Sequence, residues 1–378
     1  RIRPDFSGSQ TVLGKHLLQL TGSFGKDFTP LAQWIYNYVY DGTTPINIWL
    51  EYEKEPSCQL QLRIQFFQSG AIGDLVKEII YSEDDLKEPI LLDEFERYYL
   101  SFCLEAKGEG ELKIGALHKR YSHGPFGEMT VGAQTLRDSK RQEIFAYFHP
   151  GDMKPPLNIY FSGYRPAEGF EGFVMMRRMG SPFILFSDPR LEGGSFYMGS
   201  QELEDQIVAY IDQYLDWLGF GPKEMNFSGL SMGTFGALYY GSSYSPHAIL
   251  VGKPIVNLGD VAANLKFKRP DEFGTSLDMM QLLVGQVSRE GIDLLNQRFW
   301  DRFNQADLKD TILAMAYMRD DDYDQLAYPK ILEALYDHPV RIISSSRPGR
   351  HNDASAPIVE WFLTQYKEIM ERDFGRIE

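Results

Sequence analysis

Apolar and polar residues alternate through much of the first third of the chain. Ile46, Ile48, Leu50 and Tyr52 are interleaved with Asn47, Trp49, Glu51 and Glu53, and Leu60, Leu62, Ile64 and Phe66 with Gln61, Arg63 and Gln65. The pattern returns at Tyr98, Leu100, Phe102 and Leu104. It resumes at Leu112, Ile114 and Ala116, after the turn signal Gly108-Glu109-Gly110. A period of two predicts strands with one dry and one wet face. The segment that opens the chain reads as loose. With no helical period between the strands, residues 1–138 are predicted to form an antiparallel β-sandwich, jelly-roll-like in type. Such a unit either binds carbohydrate or only packs and stabilises, and the pattern suits both roles.

Beyond a polar stretch at 135–141 the rhythm changes, and the boundary is placed between residues 138 and 139. Short apolar runs at 144–148, 157–161, 183–186, 248–251, 311–318 and 340–345 read as strands. Between them lie helical patterns. The clearest spans 201–218, with Leu203, Ile207, Ile211, Tyr214, Leu215 and Leu218 on one face. Ser200 is its N-cap, Glu202, Glu204 and Asp205 suit its first turn, and Gly219 with Pro222 ends it. Further helices are expected at 330–336 and 357–370, the latter with a stripe of Ile358, Trp361, Phe362 and Ile369. Alternating strands and helices predict an α/β domain over 139–378, its sheet mostly parallel and α/β-hydrolase-like. Residues 253–310 break the rhythm with helical patterns alone. They are predicted to form a helical lid over the carboxyl ends of the strands.

Composition narrows the field. A length of 378 residues fits two domains, and 43% hydrophobic content is ample for two cores. A net charge of -15 argues against nucleic acid or an anionic membrane as partner. Cys58 and Cys103 are too few for a disulfide framework or a metal site, so a reducing compartment is the simpler reading. No run approaches the length of a transmembrane span, and no charged-then-apolar leader opens the chain. Phosphate-cradling and dinucleotide motifs are absent, as are clustered metal ligands. No bound cofactor and no metal are therefore expected.

The chemistry centres on Gly229-Leu230-Ser231-Met232-Gly233, an instance of G-x-S-x-G between an apolar run and a helical one. In a nucleophile elbow the serine sits on a strained strand-to-helix turn, and the next amide, here that of Met232, faces the oxygen of a bound carbonyl. Serine needs a base and a group that orients the base. Of seven histidines, only His351 follows both Ser231 and an acid while lying past a strand end. The acid is placed at Asp321, with Asp320 and Asp322 as the adjacent alternatives in the same loop. A second oxyanion amide is expected from Gly163 or Tyr164, after the strand at 157–161. Asp188, Arg190 and Tyr197 follow the next strand and are candidates for hydrogen-bonding sugar hydroxyls.

The segments NFSGLSMGTFGALYYGS, AYMRDDDYD and SSSRPGRHND make the chain similar to the second accessory secretory proteins of the accessory Sec system in Gram-positive cocci. The likeness extends through the β domain, which implies the carboxyl-terminal bulk of a longer family member. It implies a cytoplasmic protein, peripheral at the inner face of the membrane with its export complex. It also implies O-acetylation of N-acetylglucosamine on serine-rich-repeat glycoprotein adhesins during export. The implied partners are the first and third accessory secretory proteins, the accessory Sec export ATPase and the adhesin itself. Carried over by motif, the nucleophile is Ser231, the base His351 and the acid the Asp321 position, with an acetyl donor required. Two other functions stay open on the residues: a carbohydrate acetyl esterase, and a non-catalytic adhesin-binding export factor.

Overall fold

Strict alternation does yield an antiparallel sheet, but a single one wrapped around its longest strand. The computed structural model describes residues 1–35, 37–70, 73–264, 268–269 and 272–376. The chain divides into two compact units, Arg1–Ala133 and Gln134–Glu378. In the first unit the strands are β1 (Ser9–Leu13), β2 (Leu17–Gln33), β3 (Tyr38–Tyr40), β4 (Ile46–Lys54), β5 (Cys58–Gln68), β6 (Leu75–Ser82), β7 (Ile90–Leu92) and β8 (Tyr98–Tyr121). β8 pairs with β2 and β3 along one edge and with β4 and β5 along the other, antiparallel throughout. One core receives Leu20, Ile48 and Leu112 from one half of the sheet and Leu62, Ile64, Phe66, Leu100 and Leu104 from the other.

Hydrogen bonding joins all eight strands into one antiparallel sheet, whose two halves share one core. Two expectations are corrected in this unit. The glycines at 108 and 110 make no hairpin; they bend β8 in mid-strand, both with positive φ. A side chain on Gly108 would lie 2.1 Å from the Ser57 carbonyl oxygen, so the bend needs glycine there. The opening segment is not loose either, since β1 and β2 occupy it.

The second unit holds β9 (Ala133–Arg137), β10 (Glu143–His149), β11 (Leu157–Phe161), β12 (Phe183–Ser187), β13 (Met225–Leu230), β14 (Ala248–Gly252), β15 (Ile312–Met318) and β16 (Arg341–Arg347). The strand β9 belongs to this sheet, which draws the boundary slightly upstream of the one composition indicated. The sheet order is β16-β15-β14-β13-β11-β12-β10-β9. All neighbours from β12 to β16 run parallel, and β10 is antiparallel to β12. Parallel strands covered on both faces read as continuous apolar runs, and β11, β12 and β14 are buried at every residue.

Helices α1 (Phe173–Arg178), α2 (Gln201–Leu218), α3 (Met232–Gly241), α4 (Leu258–Ala263), α5 (Ser276–Val284), α6 (Arg289–Phe303), α7 (Ala327–Ala334) and α8 (Ser355–Phe374) accompany it. The predicted cap of α2 forms, with Ser200 Oγ accepting the Leu203 amide at 3.2 Å. Helices α4 to α6 come from the span expected to be the lid. Residues 265–267 and 270–271 of that span lie outside the described residues. Among the described residues, no helix is long and apolar enough to cross a membrane.

Candidate active site

Because β13, β15 and β16 are parallel, the loops that follow them open at the same edge of the sheet. The loop after β13 is the turn at Ser231, whose backbone is held at φ 51°, ψ −118°. That conformation is costly for a residue with a side chain and persists only where the surroundings enforce it. Two glycines do so. A Cβ on Gly229 would lie 2.3 Å from the Gly233 carbonyl oxygen, and one on Gly233 would lie 1.9 Å from the Phe161 carbonyl oxygen. The spacing G-x-S-x-G is thus a packing requirement between β13, α3 and β11. Met232 is the first residue of α3, so its amide has no partner within the helix and is available at the site.

The loop after β16 carries His351, which is 1% exposed. Its Nε2 lies 2.8 Å from Ser231 Oγ, and its Nδ1 lies 2.8 Å from Asp321 Oδ2. Of the three adjacent aspartates, Asp321 is the one whose side chain reaches the imidazole. The other Asp321 oxygen, Oδ1, accepts the Tyr323 and Asp324 amides at 2.8 and 3.2 Å, which fixes the carboxylate in its own loop. The Tyr323 ring packs 4.5 Å from the imidazole. This is the geometry in which a carboxylate sets the tautomer and orientation of a base that faces a hydroxyl.

The remaining aspartates hold the frame. Asp322 accepts the His351 amide at 3.0 Å and Arg350 Nη2 at 2.5 Å. Burial would raise its carboxyl, but the Arg350 and His351 hydrogen bonds outweigh it and keep the group below its ordinary range. Asp320 accepts the Gly349 amide at 3.2 Å. Asp324 accepts the Val256 and Asn257 amides at 2.7 and 2.6 Å, and burial pushes its carboxyl up. The helical insertion is also tied to the histidine loop, since Glu272 accepts from Tyr323 Oη at 3.1 Å and Asn352 Nδ2 at 3.0 Å.

The oxyanion side differs from expectation. Gly163 does abut the elbow, for its Cβ would lie 3.0 Å from the Leu230 carbonyl oxygen. Its amide, however, donates to Glu171 Oε2 at 2.7 Å and is not open. Tyr164 is 61% exposed at the start of the same loop. Asp188, Arg190 and Tyr197 are buried and mutually saturated, not presented to a ligand. Arg190 donates to both Asp188 oxygens at 2.8 and 2.7 Å, and Asp188 Oδ2 also accepts the Ser195 and Tyr197 amides. Tyr197 Oη donates to the Ser162 carbonyl at 2.6 Å, so this ion pair braces the loop that holds Gly163.

Two further residues escape a reading of the sequence. Glu171 lies in a run without periodicity. Lys253 directly follows β14 with φ 60° and is buried, its Nζ donating to Ser355 Oγ at 3.1 Å. Burial pushes that ammonium down, while Asp321 and Glu171 pull it the other way. A lysine at a parallel strand end is the signal that would have found it. Among the described residues, no three His, Cys, Asp or Glu side chains converge as metal ligands would.

Fold and site together define a two-unit α/β protein with a serine, an imidazole and a carboxylate hydrogen-bonded in series at the carboxyl edge of a mostly parallel sheet. The chain belongs to the accessory Sec system GspB-transporter family, which it matches over residues 1–376. It is 46% identical over 375 residues to an accessory Sec system protein, the second of the accessory secretory proteins, from Streptococcus gordonii, covering 99% of this chain and 74% of the relative. The corresponding protein of Staphylococcus aureus (strain NCTC 8325 / PS 47) is also 46% identical, over 100% of this chain and 72% of the relative. A solved structure of the glycosylation-associated protein (Gap123) complex from Streptococcus agalactiae contains a chain that superposes with a TM-score of 0.97 at 40% identity, over 100% of this chain and 73% of that one.

Proposed function

We propose that the protein is a serine-dependent O-acetyltransferase of α/β-hydrolase type that works within the accessory Sec export apparatus. The observation that carries the chemistry is the pair of 2.8 Å contacts linking Ser231, His351 and Asp321. The sheet's strand order, with its serine at the turn after the fifth strand, is the framework on which such a nucleophile elbow is built. The Ser231 oxygen attacks the donor's acetyl carbonyl as His351 Nε2 takes its proton. The tetrahedral intermediate collapses, the leaving group receives that proton, and an acetyl ester of Ser231 remains. A sugar hydroxyl then gives its proton to His351 and attacks the ester; the proton returns to Ser231 as the acetylated sugar departs. The Met232 amide stabilises the oxyanion in both halves.

The acceptor in this reading is N-acetylglucosamine on serine-rich-repeat glycoprotein adhesins, the substrate that the resemblance to the second accessory secretory proteins implies. The similarity to a chain of the Gap123 complex supports assembly with the first and third accessory secretory proteins; a place beside the export ATPase is part of the same proposal. The test is Ser231→Ala in the full-length protein, in the cell that exports the adhesin. Export is expected to continue while acetyl groups disappear from the adhesin glycans by mass spectrometry. Unchanged acetylation would end the enzymatic reading and leave a non-catalytic export factor.

A further inference from the structure

The oxyanion side of the site already holds a negatively charged oxygen, and it belongs to the chain itself. Glu171 Oε2 accepts the Gly163 amide at 2.7 Å and the Tyr160 hydroxyl at 3.1 Å. The Glu171 amide in turn donates to Ser162 Oγ at 3.0 Å, so the loop from Ser162 to Glu171 is closed by reciprocal bonds. This carboxylate stands next to the elbow. A Cβ on Gly163 would meet the carbonyl oxygen of Leu230, the residue before Ser231, at 3.0 Å and Glu171 Oε2 at 3.2 Å. A carboxylate on a backbone amide mimics the oxygen of a tetrahedral intermediate in charge and in donor distance. A hydrogen bond to an ionised acceptor is also about twice as strong as a neutral one.

We propose that Glu171 is an internal latch, its carboxylate occupying the Gly163 amide that an acyl oxygen takes during reaction, so that acylation of Ser231 requires Glu171 to be displaced. In the latched arrangement the oxyanion site offers Met232 but not Gly163, so donors that leave the latch closed acylate Ser231 slowly. A donor that engages the loop from Tyr164 onward, which is exposed, releases the latch as it binds. The inference rests on Ser231 being the acyl acceptor.

The experiment measures the second-order rate of Ser231 modification by a fluorophosphonate, whose phosphoryl oxygen enters the same oxyanion site. Ser231 Oγ attacks phosphorus, fluoride leaves, and His351 receives the proton. Wild type, Glu171→Gln and Glu171→Ala are compared at neutral pH by intact mass, with Ser231→Ala as the blank and thermal melts to establish folding. Glu171→Ala is expected to react about 10-fold faster than wild type, since a charge-assisted bond no longer has to break. Glu171→Gln, which keeps the shape and loses the charge, falls between them. A rate that is unchanged or lower in both variants overturns the latch and makes Glu171 a brace for the loop. Should neither wild type nor either variant label at Ser231, the serine reading falls and the latch with it. Labelling of wild type without acceleration in the variants removes the latch alone.

Discussion

Asp320, Asp321, Asp322 and Asp324 crowd one loop, and each side chain does something different. Asp321 hydrogen-bonds the His351 imidazole, and Asp322 fixes the backbone of the histidine loop. Asp320 ties that loop's glycine, and Asp324 ties the start of the helical insertion. Asp321→Asn should therefore slow Ser231 acylation by about 10³- to 10⁴-fold, because the amide favours the wrong imidazole tautomer. Asp320→Asn, assayed in parallel with an activated ester, should change the rate by less than about 10-fold. Asp322 gives a pH prediction. Its carboxyl is held below the ordinary carboxylate range in the folded chain, so its contribution to stability is complete above that range. The contribution is lost as pH falls through the lowered folded value. Asp322→Asn is expected to move the acid-unfolding midpoint to higher pH, and to cost about 1 kcal/mol at neutral pH by urea titration. An unchanged acid limb would show that the Arg350 contact is idle. The sequence placed the acid at Asp321 with Asp320 and Asp322 as adjacent alternatives, and nothing in it separates the three. Neighbouring loop positions point in different directions only once φ and ψ are set.

At the scale of elements, the legible parts are those where one physical period runs without interruption. Helix α2 and strand β11 lie where periodicity and capping place them, because nothing in them breaks the period. Strand β2 was not legible. Its pairing with β8 shifts register between Ser23 and Gly25, between Gly25 and Thr29, and between Pro30 and Ala32. Each shift resets the alternation that marks a strand. The Gly108 bend misleads for a related reason, since glycine marks both a turn and a kinked strand, and only the partner strand decides. The elbow is a contact between elements, and it supports a sharp prediction. Gly233→Ala forces a methyl group onto the Phe161 carbonyl and should cost at least about 2 kcal/mol, read as a lowered urea midpoint. Wild-type stability in that variant would mean that β11 and α3 can separate without cost, and the packing account of G-x-S-x-G would fail.

For the whole molecule, the order of apolar runs reported two units and the class of each. It did not report which side chains face a ligand. Asp188, Arg190 and Tyr197 occupy positions suited to a pocket wall, yet they form a buried network. Whether a polar residue near a strand end turns inward depends on partners far along the chain, such as Ser162 for Tyr197. Serine, histidine and aspartate were easier to locate because each must follow a parallel strand, and parallel strands share one reactive edge.

The most direct measurement of the central claim is peptide-resolved mass spectrometry after the protein is incubated with an activated acetyl ester. Acetylation of the peptide containing Ser231 is predicted in wild type, absent in Ser231→Ala, and slowed by roughly 10³-fold or more in His351→Ala. An acetyl group found elsewhere but not on Ser231, or equal rates with and without His351, would contradict it.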